Sequence, residues 1–130
     1  MIFVDTSAVV AVFLAEAEGN LFSELIQETD EPRSCAASVE ECLIVLDNRP
    51  DNDNAKLLRD MLFELGLTVE PVTTSEAWIA GDAYRRFGKG RRRARLNIGD
   101  CFSYALAKNL DLPLLFKGDD FRHTDIRPAL

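Results

Sequence analysis

Asp5 lies in "MIFVDTSAVVAVFL", between two apolar runs and directly before Thr6 and Ser7. An ionised carboxylate is costly to bury unless it is paired, hydrogen-bonded or bound to a metal, so this placement calls for a compensating group. Further acids have comparable settings: Glu40 in "SVEEC", Asp100 in "IGDCF", and Asp119 with Asp120 in "KGDDF". Each also has an ordinary structural explanation. Asp5 can cap a helix, although Thr6 and Ser7 offer hydroxyl caps without burying a charge. Ser38-x-x-Glu41 reads as a capping box, which assigns Glu41 to its own helix and leaves Glu40 either as a ligand or as a solvated surface side chain. Asp100 suits an N-cap, and aspartates such as Asp119 and Asp120 are common in turns.

The elements that position these acids are legible in the hydrophobic pattern. Residues 2–4 form a short apolar strand, and a helix capped by Thr6 or Ser7 runs to about Ala15. A second helix is expected over 20–28, a second strand at "RSCAAS", and a third helix from Ser38 with Val39, Cys42, Leu43 and Leu46 at helical spacing. The amphipathic stretch 54–65 closes at Gly66, "LTVEPV" is a third strand, and Thr74 or Ser75 caps a helix reaching Phe87. After the loop "GKGRRRARLNIG" come a helix from Asp100, a fourth strand "LPLLF" and the turn "KGDDF". This alternation describes one α/β domain over 1–130, with a short, mainly parallel central sheet flanked by helices. In such sheets ligands bind beyond the carboxyl ends of the strands. Asp5 and Asp119 (or Asp120) follow strands and Glu40 and Asp100 begin helices, so all fall at that edge. Carboxylates gathered there repel one another unless a cation neutralises them. An all-oxygen donor set suits Mg²⁺, with Mn²⁺ as the alternative, as one ion or two, and Thr6 or Ser7 orients the site.

The net charge of −7 argues against a nucleic-acid partner, but its distribution argues for one. "RRFGKGRRRAR" carries seven of the fifteen basic residues and no acid. Arg91, Arg92, Arg93 and Arg95 directly precede Asp100, placing phosphate contacts beside the proposed metal ligands; the competing view is a solvated charge run. The apolar stretch 8–14 is far short of the roughly 20 residues that span a bilayer. No basic residue precedes it, so neither a membrane anchor nor a secretory signal is expected and the location is read as cytoplasmic. Cys35, Cys42 and Cys101 lack any C-x-x-C spacing and read as buried free thiols. His123 is the only histidine, which leaves no His–Ser nucleophile system.

"FVDTSAVVAVFL", "SCAASVEE", "YRRFGKGRRRARLNIGDCFSYALA" and "PLLFKGDDFRHTDIRPAL" together resemble the PIN-domain ribonucleases, specifically the VapC toxins of bacterial toxin–antitoxin pairs. The resemblance runs end to end and is strongest over the last third. It implies a PIN-like fold and a metal site of Asp5, Glu40, Asp100 and one acid of "GDD", Asp119 ahead of Asp120, supported by a hydroxyl after Asp5. It also implies Mg²⁺-dependent hydrolysis of RNA, neutralisation by a VapB-type antitoxin, and a homodimer, for which the helices at 20–28 and 54–65 offer surfaces. A dehalogenase-like phosphatase needs a second aspartate where Ser7 stands. A catalytically silent module, with the acids as caps and the arginine loop docking RNA or an acidic partner, is the other alternative; Mg²⁺-dependent cleavage separates it from the enzyme.

Overall fold

The computed structural model describes residues 1–49, 53–90 and 94–130. Four short strands, β1 (Phe3–Val4), β2 (Arg33–Cys35), β3 (Thr68–Glu70) and β4 (Leu114–Leu115), form one parallel sheet in the order β3-β2-β1-β4. Among the described residues six helices connect them: α1 (Thr6–Phe13), α2 (Gly19–Glu28), α3 (Ala36–Leu46), α4 (Asn54–Glu64), α5 (Thr74–Phe87) and α6 (Ile98–Leu110). A 3₁₀ turn, Asp120–His123, follows β4.

β1 and β4 are buried on both faces and β2 largely so, while the edge strand β3 is mostly exposed; the two-residue alternation of the buried strands separates two cores. Ile2, Val4 and Leu115 join Ala8, Val9, Phe22, Ile26, Leu58 and Leu62 on one side. Phe3, Cys35 and Leu114 join Ala80, Ala83, Leu96, Tyr104 and Leu106 on the other. The apolar faces of α2 and α4 bury Phe22, Ile26, Leu58 and Leu62, so core packing accounts for the amphipathic patterns at 20–28 and 54–65. Gly19 begins α2 where a Cβ would stand 2.7 Å from the Ala11 carbonyl oxygen, and its absence lets α2 close against α1. The three cysteines are buried and free.

Several helix starts differ from the sequence reading, and three of the differences bear on an acid. Asp5 itself caps α1, so Thr6 is the first helical residue and the hydroxyl cap expected of Thr6 or Ser7 is corrected. The second strand ends at Cys35 and α3 begins at Ala36 rather than Ser38. Ser38 is therefore inside the helix, its hydroxyl 3.4 Å from the Cys35 sulfur, and the expected Ser38–Glu41 capping box does not exist. Thr73, not Thr74 or Ser75, precedes α5. Asn97 caps α6, which places Asp100 at the third helical position instead of the cap.

The basic segment is closed at its base. Gly88 and Leu96 form a bridge, the Lys89 N–H donates to the Leu96 carbonyl at 2.9 Å, and the Leu96 N–H donates to the Phe87 carbonyl at 2.9 Å. Ala94 and Leu96 are fully buried, while Arg95 is exposed in a left-handed backbone conformation (φ 56°). Arg91, Arg92 and Arg93 lie outside the described residues. Among the described residues no helix is long and apolar enough to cross a membrane.

Candidate active site

Asp5 leaves β1 and enters α1 at the carboxyl edge of the sheet, with only 1% of its surface exposed. Three donors hold it. The Ser7 N–H (3.0 Å) and Ser7 hydroxyl (2.7 Å) donate to Oδ2, and the Ser103 hydroxyl donates to Oδ1 at 2.5 Å. Hydrogen bonds thus already satisfy the carboxylate whose burial first called for a cation. Ser7 Oγ in turn accepts the Lys117 N–H at 2.9 Å, which ties the turn after β4 to the start of α1. The Lys117 ammonium pairs with Glu16 at 3.1 Å and Glu18 at 3.6 Å.

Asp100 enters the same edge on the first turn of α6. Its N–H donates to Asn97 Oδ1 at 2.8 Å and its Oδ2 accepts the Asn97 N–H at 3.1 Å, a reciprocal capping box. Burial, reinforced by the charge of Asp5 and more weakly by those of Glu41 and Asp120, pushes the Asp100 carboxyl up to about 7 despite the Asn97 N–H. Glu41 comes from α3. Burial first, and then the Asp5 charge, raise it above the ordinary glutamate range, with partial relief from the neighbouring Thr6 hydroxyl. That hydroxyl is buried and closes no full hydrogen bond among the described residues. Gly99 makes room for Glu41: a Cβ there would overlap the Glu41 carboxyl group.

The structure therefore brings Asp5, Glu41 and Asp100 together, with Asp120 acting on Asp100. Glu40 is exposed, on the rim of a hollow of about 230 Å³ that Glu41, Gly99 and Phe102 also line. The expectation that Glu40 rather than Glu41 reaches the acids is corrected, because α3 starts two residues early and Glu41 has no cap to serve. Asp119 is 87% exposed at its side chain and pairs with Arg122 at 3.5 Å, so of the two neighbours Asp120 is the one coupled to the cluster. His123 is exposed on the 3₁₀ turn. The part played by Ser103 went unread in the sequence, although it stands three residues after Asp100 and so on the same face of α6.

Among the described residues no three His, Cys, Asp or Glu side chains are already closed around one point. The donor set nonetheless fits a hard divalent ion: it is all oxygen, its members repel one another, and two of them are held away from their ordinary ionisation by that repulsion and by burial.

Comparison with known proteins agrees with this architecture. The PIN domain family matches residues 2–127. Ribonuclease VapC28 of Mycobacterium tuberculosis is 43% identical over 128 residues, covering 98% of this chain and 96% of its own. Ribonuclease VapC42 of the same organism is 41% identical over 127 residues, covering 97% of each. The crystal structure of Mycobacterium tuberculosis VapC20, described as a sarcin-ricin loop cleaving toxin, superposes with a TM-score of 0.74 over 98% of this chain and all of that one, at 19% identity. A domain match over residues 2–127, 41–43% identity to two VapC ribonucleases over nearly the full length and a shared fold lead to one conclusion: the chain belongs to the PIN-domain family, among its VapC ribonuclease toxins.

Proposed function

We propose that this chain is a divalent-cation-dependent endoribonuclease whose ion is held by Asp5, Glu41, Asp100 and Asp120. The observation that carries the reading is the carboxylate cluster at the sheet edge, in which Asp100 stands near 7 because burial and the charge of Asp5 oppose its ionisation. A cation in such a site acidifies water and offsets charge on the phosphoryl oxygens. The chain's own contribution is orientation. Ser7 and Ser103 fix both oxygens of Asp5, the Asn97 capping box fixes Asp100, and Gly99 admits the Glu41 carboxyl. The basic segment 85–95 directly precedes α6 in the sequence, and Arg91, Arg92, Arg93 and Arg95 are proposed to hold RNA phosphates. A VapB-type antitoxin, a cytoplasmic location and a homodimer are part of the same proposal, supported by membership of the family. For the dimer, the apolar hollow of about 620 Å³ between α5 and α6, lined by Ala77, Gly81, Tyr84, Ile98 and Phe102, offers a surface beside those of α2 and α4, which leave Leu21, Leu57 and Phe63 exposed.

The test is cleavage of a labelled RNA pool with Mg²⁺ or with chelator. Cleavage that requires Mg²⁺ and disappears in Asp100→Asn is expected; binding without cleavage at any Mg²⁺ or Mn²⁺ concentration overturns the reading in favour of a silent RNA-docking module. Replacing the four arginines by alanine is expected to flatten the salt dependence of binding to a non-cleavable RNA, by about 0.7 in slope per lost phosphate contact.

A further inference from the structure

Ser103 is wholly buried on α6, one turn beyond Asp100, and its hydroxyl donates to Asp5 Oδ1 at 2.5 Å across 98 residues of sequence. Asp5 thereby has a donor on each oxygen: Ser7 on Oδ2 from its own helix, Ser103 on Oδ1 from the helix that carries Asp100. The second contact does more than satisfy a polar group. Asp5 and Asp100 repel, and the Ser103 bond is a direct tie holding α6 against the end of β1 against that repulsion. We propose that Ser103 is a positioning residue, which sets both the orientation of the Asp5 carboxylate and the spacing between Asp5 and Asp100, and so preorganises the cation site; the inference rests on the metal-site reading above.

Mn²⁺ is a suitable probe, because its binding is read from the loss of the free-ion electron paramagnetic resonance signal without RNA or turnover. Full-length wild type, Ser103→Ala, Asp5→Asn and the double variant are titrated, with circular dichroism showing each folded. Ser103→Ala is expected to bind Mn²⁺ about tenfold to a hundredfold more weakly, the range for removing a hydrogen-bond partner of a ligand. Asp5→Asn is expected to lose more, and adding Ser103→Ala to it to lose nothing further, because Ser103 acts through Asp5. Ser103→Thr, which keeps the hydroxyl, is expected to recover most of the affinity. Wild-type Mn²⁺ affinity in Ser103→Ala beside a defective Asp5→Asn overturns the positioning role alone. An equal further loss from Ser103→Ala in both backgrounds overturns it too, because the residue then acts independently of Asp5. Equal Mn²⁺ affinity in wild type and Asp5→Asn overturns the metal-site reading and this inference with it.

Discussion

Asp5 and Asp100 occupy the same kind of place, at the entrance of a helix on the carboxyl edge of a parallel sheet, yet the molecule treats them differently. Asp5 is the more deeply buried and receives three hydrogen bonds from two serines. Asp100 is only half-buried, has its closest support from its own capping box, and carries the large upward shift. Hydrogen-bond donors, and not exposure alone, distinguish the two settings. At Asp100 burial acts first and the charges of Asp5, Glu41 and Asp120 add to it against one backbone donor, whereas the fold aims three donors at Asp5.

Breaking the strained member of the pair has the largest expected effect. Asp100→Asn keeps the side chain's shape but removes its charge, and RNA cleavage with saturating Mg²⁺ is expected to fall about a thousandfold, equivalent to several kcal/mol of charge stabilisation. The same variant is expected to melt at a higher temperature than wild type in chelator at pH 8, where the wild-type carboxyl is ionised against its surroundings.

Gly99→Ala attacks the neighbouring acid without removing it. The new Cβ displaces the free end of the Glu41 side chain, which can swing away, so the thermal transition is expected to stay close to wild type. Cleavage is expected to fall about a hundredfold, the cost of misplacing a group by about 1 Å. Glu41→Gln should produce a comparable loss and Glu40→Gln one within about twofold; equal losses in the two folded glutamine variants would contradict the assignment of Glu41 to the site.

A smaller effect tests the electrostatics of Asp100 in the folded protein. Its folded value near 7 is above the ordinary 3.8, so between those values the folded state holds a proton that the unfolded state has released. In chelator this contribution lowers stability as pH rises from about 4 to about 7, and it levels off above. Melting temperatures measured across that range for wild type and Asp100→Asn are expected to differ in slope, with Mg²⁺ bringing the wild-type slope toward that of the variant. The smallest expected difference is between Asp119→Asn and Asp120→Asn: only the second should change Mg²⁺ affinity, because Asp119 is committed to Arg122 in solvent.

The sequence made the architecture readable because β1 and β4 are apolar throughout and α2 and α4 each have a clear amphipathic face, patterns that a parallel α/β domain imposes. Helix starts were less readable, and the site depends on them. Cys35, with no side-chain cap, precedes α3, so nothing local marked Ala36 as its first residue, and the plausible Ser38–Glu41 pair drew the boundary two residues late. Asn97 and Asp100 cap each other, and either alone looks like a sufficient N-cap. The Ser103–Asp5 bond joins residues 98 apart, a separation that no local pattern encodes.

The closed base of the basic segment has an evolutionary consequence. Because Phe87, Gly88, Lys89 and Leu96 fasten the two ends together and Ala94 and Leu96 anchor them in the core, the span between is a replaceable cassette. A change of length there leaves the base, and with it α5, α6 and the acids, in place. Descendants of such a chain can alter the proposed RNA contacts by insertion, deletion or substitution within these few residues, while the acids at the sheet edge are inherited unchanged.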